Sequence, residues 1–300
     1  MPWHLKTSSS PTERLRQLLA EPGIIAAPGV YDGVSAALAE QNGFSVAYMT
    51  GAGAAVSALG LPDLGLATQT EMVTHAERLT ENLSIPVIAD ADTGYGDVLN
   101  AVRTLRLYER AGIAALHLED QRFPKRCGHL PGKQVVSAEE FEEKLRAVCE
   151  ARRDANLVVI ARTDARGPLG LDEAIRRGNR YAAAGADMVF VEAPQSEDEL
   201  ARIAKEVDAP LLVNVIANSV TPPVPLARLE ELGYKVAIFP LVAVSAAAVA
   251  VDRALRHLRS TGSDAWDEPT LSPSEQFRIA GLDSWLELRA RHSTEESTWA

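Results

Sequence analysis

Residues 86–96 read PVIADADTGYG: an apolar run of strand length, Pro86–Asp90, then a polar, glycine-punctuated turn, then Val98–Ala111 with apolar residues at helical spacing. The same unit recurs along the chain. Its strands are read at Gly23–Ala27, Ser45–Met49, Pro86–Asp90, Ala114–Leu118, Leu157–Ala161, Asp187–Val191, Pro210–Asn214 and Lys235–Phe239. Helices are expected at Val34–Gln41, Gln69–Glu81, Val98–Ala111, Ala138–Arg153, Leu171–Ala184, Glu197–Glu206 and Leu226–Leu232. Several close on a glycine (Gly43, Gly112, Gly185, Gly233) that can take the left-handed conformation. Runs of Val, Ile and Leu without polar alternation suit strands buried on both faces, hence a parallel sheet covered by helices. Eight such units predict an α/β fold of the (β/α)8 TIM-barrel type. The competing doubly wound sheet lacks its GxGxxG turn after the first strand. A helix from about Val242 to Arg259, the polar stretch TGSDAWDEPTLSPSE and a helix at Gln276–Arg291 lie outside the repeat. The chain thus reads as a barrel at 1–260 with a C-terminal helical extension at 261–300.

With 46% apolar and 24% charged residues in 300, the chain can bury one large core, which excludes disorder, collagen and coiled coil. Asp and Glu outnumber Lys and Arg by 41 to 30, and the net charge of −11 opposes a broad nucleic-acid or anionic-membrane footprint. A small ligand is expected, with no nucleic acid and no membrane as partner. Two cysteines, Cys127 and Cys149, are too few for a disulfide framework and read as reduced thiols of a cytoplasmic protein. The opening MPWHLKTSSS has no signal-peptide core, and the longest apolar run, Val236–Val251, is too short for a bilayer and is interrupted by Pro240 and Ser245.

Barrel active sites lie at the carboxyl ends of the strands. Those ends are polar here: Tyr48-Met49-Thr50-Gly51-Ala52-Gly53, Asp90-Ala91-Asp92-Thr93-Gly94-Tyr95-Gly96, His117-Leu118-Glu119-Asp120, Arg162-Thr163-Asp164, Glu192 and Asn214. Any one carboxylate could simply cap the next helix. Their convergence on one rim favours a site. Asp90, Asp92 and Glu119 come from adjacent strands and offer only carboxylate oxygens, a donor set that suits Mg2+ better than zinc, although a set of hydrogen-bonded caps fits the spacing about equally well. His117 shares a strand face with Glu119 and is either a pocket residue or a packed core histidine.

The loop after the fourth strand, Gln121 to Lys133, sets Cys127 among Lys125, Arg126 and His129. Cationic neighbours lower a thiol pKa, so a mobile lid carrying an activated thiol is one reading and an incidental surface cysteine the other. Cys149 lies in a regular helix and reads as packed.

At these residues the chain resembles the isocitrate lyase and phosphoenolpyruvate mutase superfamily, in its methylisocitrate lyase, dimethylmalate lyase and carboxyphosphonoenolpyruvate phosphonomutase branch. Lys125-Arg126-Cys127-Gly128-His129 is similar to the lyase signature. Gly60-Leu61-Pro62-Asp63-Leu64-Gly65, Asp90-Ala91-Asp92 with Gly94-Tyr95-Gly96, Leu118-Glu119-Asp120-Gln121 and Ala161-Arg162-Thr163-Asp164-Ala165 match in order, so the resemblance runs from about Gly23 to Leu258. It implies Mg2+ at the rim, with Mn2+ as a substitute, and homotetramers in which a C-terminal helix is exchanged between subunits. It makes Asp92 the direct metal ligand, with Asp90 and Glu119 holding metal-bound waters. Arg162 and the backbone around Thr50, Gly51 and Ala52 would hold the carboxylate of a 2-oxo acid or its enolate. Tyr48 matches the base of a retro-aldol cleavage and Cys127 the acid that protonates the enolate carbon. Lys125 and His129 join this catalytic set, Asp63 and Gly128 match substrate contacts, and Glu192 and Asn214 match positions that contact the substrate or the metal's water shell.

The Cys-Gly-His segment points to carbon-carbon cleavage, although carboxyphosphonoenolpyruvate phosphonomutases share it. Methylisocitrate lyases carry a Thr where this chain has Ile216 and an Arg shortly after the eighth strand, whereas Leu241–Val251 has no cation before Arg253. An extra buried carboxylate would be left unpaired. The resemblance therefore implies a lyase for a small 2-alkylmalate-like acid acting through the enolate of a 2-oxo acid. A phosphonomutase or an oxaloacetate hydrolase or decarboxylase is the alternative. Specificity is expected to lie in Ile216, Val242, Val244 and Ser245.

Overall fold

The computed structural model describes residues 10–265 and 268–292. Residues 1–9, read above for a signal peptide, lie outside the described residues, as do 266–267 and 293–300 of the extension. Strands β1 (Ile25–Val30), β2 (Ala47–Met49), β3 (Val87–Asp90), β4 (Ala115–Glu119), β5 (Val158–Thr163), β6 (Met188–Val191), β7 (Leu211–Asn214) and β8 (Val236–Phe239) form a closed barrel in chain order. Every pair is parallel, and β8 returns to β1 through Ile25 with Val236 and Ala27 with Ile238. Helices follow the strands as expected, and Gly43, Gly112, Gly185 and Gly233 take φ of 82°, 77°, 109° and 101°. No described helix is long and apolar enough to cross a membrane.

Side chains alternate along each strand. Ile25, Ala27, Tyr48, Ile88, Ala115, Val158, Ile160, Met188, Phe190, Leu212, Val236 and Ile238 form one buried cluster inside the barrel. The intervening Met49, Val87, Ala89, Leu116, Leu118, Val159, Ala161, Val189, Val191, Leu211 and Val213 face the helices in two others. Two residues beyond interior Ile88, Ala115, Ile160, Phe190 and Leu212 come Asp90, His117, Arg162, Glu192 and Asn214. The interior face is thus apolar through the barrel and polar at its carboxyl rim, which is where this fold places chemistry.

Besides the short helical segments Gly51–Ala54, Ala55–Leu59 and Arg166–Leu169, which the sequence reading did not include, three further elements differ from it. A helix at Pro11–Ala20, opened by a Ser10/Glu13 capping box with Pro11 at its first turn, precedes the barrel. Its Leu15 joins the interior cluster, and Arg16 donates to the carbonyls of Asn156 (2.9 Å) and Leu157 (3.2 Å) and to Asp187 (2.7 Å), so the helix covers the amino-terminal mouth. β1 runs on through Pro28 and Gly29 rather than stopping at Ala27. Gly29 stays in the ladder because a Cβ there would lie 2.1 Å from the Pro240 carbonyl oxygen. The helix expected at Gln276–Arg291 is two, Pro273–Ile279 and Leu282–His292, parted at Gly281 with φ 84°. The helix Val242–Thr261 contains no buried residue.

Candidate active site

β3 and β4 carry the carboxylates. The Asp90 carboxylate accepts the Asp92 N–H at 2.9 Å, and Asp92 takes a left-handed φ of 47° in the turn that follows, so its side chain returns to the rim. Lys125, buried on the loop after β4, places Nζ 2.5 Å from both Asp92 Oδ1 and Asp63 Oδ1. Burial alone would push its ammonium down; Asp92, Glu119, Asp90 and Asp63 together hold it well above its ordinary value. Asp92 is raised to about 6 by burial, which Lys125 opposes and Asp90 and Asp63 reinforce. Asp90 goes the other way: burial pushes it up, but His117, Lys125 and Arg162 bring it below the carboxylate range. Glu119 is raised well above that range by burial, against Arg162 and Lys125.

Tyr48 at the end of β2 is bonded to His117 Nε2 at 2.8 Å, with the rings stacked at 5.8 Å. Burial and Asp90 push the phenol well above its ordinary value, and burial lowers His117 to about 4. His117 is thus a fully buried, packed histidine beneath the rim, bonded to Tyr48 and edge-on to Phe190 at 5.7 Å. Arg162 on β5 is fixed by Asp164 (Nε 2.9 Å, Nη2 3.2 Å), stands 3.3 Å from Glu119 and 3.6 Å from Glu192, and lies over the Phe190 ring at 5.2 Å. Against the upward push of burial, Arg162 and His129 hold Glu192 below its usual range. Asn214 donates to Glu192 at 3.2 Å, and His129 Nε2 lies 3.2 Å from Glu192 and 3.3 Å from Asn214.

The Lys125–Lys133 loop lies down on this rim. Cys127 N–H donates to the Asp63 carbonyl at 3.1 Å, and a Cβ on Gly128 would fall 2.1 Å from Glu192 Oε1 and 2.5 Å from Arg162 Nη2. The loop's cations face elsewhere: Lys125 pairs with carboxylates and Arg126 reaches the Pro131 carbonyl at 3.4 Å. The Cys127 thiol is raised rather than lowered as expected, because burial, with Asp63 and Glu192 adding to it, outweighs the backbone hydrogen bond from His129 and the charge of Arg162. Cys149 is half-buried, with Sγ 3.3 Å from the Gly185 carbonyl.

Of the three amides expected to hold a carboxylate, Thr50 N–H is used by the Val30 carbonyl at 3.3 Å, and Thr50 Oγ1 caps the short helix Gly51–Ala54. Gly51 and Ala52 head that helix, where amides have no intrahelical acceptor. Gly51 also lets the chain pass Asp90, since a Cβ there would lie 2.4 Å from Oδ2. Ile216 is half-buried after β7, and Val242 is exposed at the start of the last barrel helix.

The donor set fits a hard divalent cation. Neither oxygen of the buried Glu119 carboxylate has a hydrogen-bond partner among the described residues; Arg162 Nε stands 3.3 Å from Oε2, and Oε1 is left for a cation or its water shell. The described residues contain no ready cage of three or more His, Cys, Asp or Glu ligands, because Asp92 is turned to Lys125. Sequence reasoning missed Asp164 as the holder of Arg162, and Asp120 behind it, which accepts from Asp164 N–H, Thr163, Arg177 and Tyr181. Both carboxylates follow polar strand ends directly, and only the fold shows which cations they meet.

A closed parallel barrel whose carboxyl rim gathers carboxylates, two cations and a loop-borne thiol defines an enzyme of the (β/α)8 class. Residues 15–259 match the family model described as phosphoenolpyruvate phosphomutase, and the chain belongs to this family, within the isocitrate lyase superfamily. Over 94% of its length it is 39% identical to 98% of 2,3-dimethylmalate lyase of Eubacterium barkeri. It is 41% identical to 2-methylisocitrate lyase of Bacillus subtilis, over 88% of this chain and 87% of that protein. The structure of oxaloacetate acetylhydrolase with 3,3-difluorooxalacetate superposes with a TM-score of 0.92 at 35% identity, covering 99% of each chain.

Proposed function

We propose that this chain is a Mg2+-dependent carbon-carbon lyase that cleaves a small 2-hydroxy acid of the 2-alkylmalate type to a 2-oxo acid and a carboxylate. The observation that carries the reading is the Lys125–Lys133 loop, which packs Gly128 against Glu192 and Arg162 and ties the Cys127 N–H to the Asp63 carbonyl, and so brings the thiol-bearing residue to the rim. Arg162, oriented by Asp164, and the amides of Gly51 and Ala52 bind the substrate carboxylate. Tyr48 is a protonated phenol, so as the carbon-carbon bond breaks its oxygen takes the hydroxyl proton while its own proton passes to Nε2 of the neutral His117 bonded to it, whose Nδ1 lies 3.8 Å from Asp90. Cys127 then returns a proton to the enolate carbon. Lys125, Asp63, Gly128, His129, Glu192 and Asn214 enclose the remaining end of the substrate. Mg2+ or Mn2+, held by Asp92 directly and by Asp90 and Glu119 through water, would supply positive charge opposite the enolate oxygen.

A tricarboxylate is disfavoured because Ile216 is apolar and Arg253, the first cation after β8, is engaged with Glu268 on the surface. The similarity to oxaloacetate acetylhydrolase supports oxaloacetate as the second substrate to try. The test is release of a 2-oxo acid from 2,3-dimethylmalate and other alkylmalates, methylisocitrate and oxaloacetate, with Mg2+ and with excess chelator. Alkylmalate cleavage that needs the metal supports the reading. Failure on all of them, with rearrangement of a phosphorus-containing enolpyruvate, overturns it in favour of a phosphonomutase.

We infer that the protein assembles as a homotetramer with exchange of C-terminal helices. What supports this is the helix Val242–Thr261, which exposes Val249, Val251, Leu255 and Leu258 and buries none of its residues.

A further inference from the structure

Lys133, at the base of the loop, is half-buried with its side chain only 6% exposed, and its ammonium makes two contacts: the Gly128 carbonyl at 2.5 Å and Asp164 Oδ1 at 2.8 Å. Gly128 is at the loop tip, against Glu192 and Arg162. Asp164 is the carboxylate that fixes Arg162 through Nε and Nη2. Asp164 is itself anchored, since its N–H donates to Asp120 at 2.8 Å and Asp120 is held by Thr163, Arg177 and Tyr181. Asp164 thus serves two cations at once, one on the rim and one on the loop. Burial would push its carboxyl up, and Arg162 and Lys133 together hold it far below the usual range.

We propose that Lys133 is a positioning residue that couples closure of the Lys125–Lys133 loop to the orientation of Arg162, because one ammonium holds both the Gly128 carbonyl and the Asp164 carboxylate. An open loop removes the Gly128 acceptor, leaving Lys133 bound to Asp164 alone. A closed loop gives it both and locks the guanidinium in place as the thiol arrives. The coupling rests on the reading of this loop as the lid over the site, and its principal readout needs no substrate.

The experiment uses the full chain with Lys133→Met. Iodoacetamide labelling of Cys127, followed by peptide mapping, is expected to accelerate about 10-fold or more as the loop opens. Oxalate, as a carboxylate probe of Arg162, is expected to bind roughly 10-fold more weakly, and kcat to fall with KM rising on any substrate turned over. Labelling within about twofold of wild type overturns the proposal, even if the melting temperature drops, because a merely structural lysine would not change loop access. Should Lys133→Met not fold, Lys133→Gln is read in the same way. Hydrogen exchange of the wild type then decides if neither folds: protected Cys127 and Leu130 amides support the latch, and exchange at the rate of a free loop overturns it. If labelling accelerates while no alkylmalate is cleaved, the latch stands and the substrate reading fails.

Discussion

Cys127 shows how a residue can keep its proposed role while its environment differs from the one sequence suggests. Lys125, Arg126 and His129 surround it in sequence, yet Lys125 and Arg126 turn away, and burial raises the thiol. The acid is therefore fully protonated at neutral pH, the state a donor to an enolate carbon needs. We expect Cys127→Ser to lower turnover about 100-fold or more, the scale for losing a positioned acid, while oxalate binding measured by calorimetry survives. Since only the thiolate reacts, labelling of Cys127 by iodoacetamide should keep rising with pH beyond the ordinary thiol value rather than levelling off near neutrality. A plateau near pH 7 would return the thiol to a lowered pKa. Asp92→Ala is expected to abolish turnover, with loss of Mg2+ binding seen by titration calorimetry.

The barrel was legible from its elements because each strand is built on a short run rich in apolar residues without strict polar alternation, and the candidate rim because polar residues follow on the same interior face. Asp90, His117, Arg162, Glu192 and Asn214 each lie two residues past an interior apolar side chain, a period that sequence alone carries. Contacts between loops and strands carry no such period, so Lys125 with Asp92, and Lys133 with Asp164, appear only in the fold. The Pro11–Ala20 helix was also missed, although its capping box and its Leu15, Leu18 and Leu19 at helical spacing, which pack on the interior cluster, are both local signals. We expect Leu15→Ala to destabilise the barrel by about 2–5 kcal/mol in denaturant unfolding at fixed protein concentration. In the loop, Gly128→Ala would place a methyl against Glu192 and Arg162 and prop the lid open. Turnover should fall about 100-fold, with little change in melting temperature.

At the scale of the whole molecule, an acidic chain of net charge −11 exposes apolar side chains along one helix. Val251, Leu255 and Leu258, at i, i+4 and i+7 on one helix face, are 56%, 59% and 45% exposed in a single chain, a row that a monomer would leave in water. Charge repulsion between acidic subunits opposes association, so the driving force has to be burial of this apolar row, which salt does not screen. We expect light scattering at micromolar concentration to give a mass above that of a dimer, unchanged when ionic strength is raised. The double variant Val251→Glu with Leu255→Glu puts two further like charges into the row and should shift the mass toward monomer. A wild-type monomer would remove the case for helix exchange. A wild-type oligomer left intact by the double variant would place the interface on another surface.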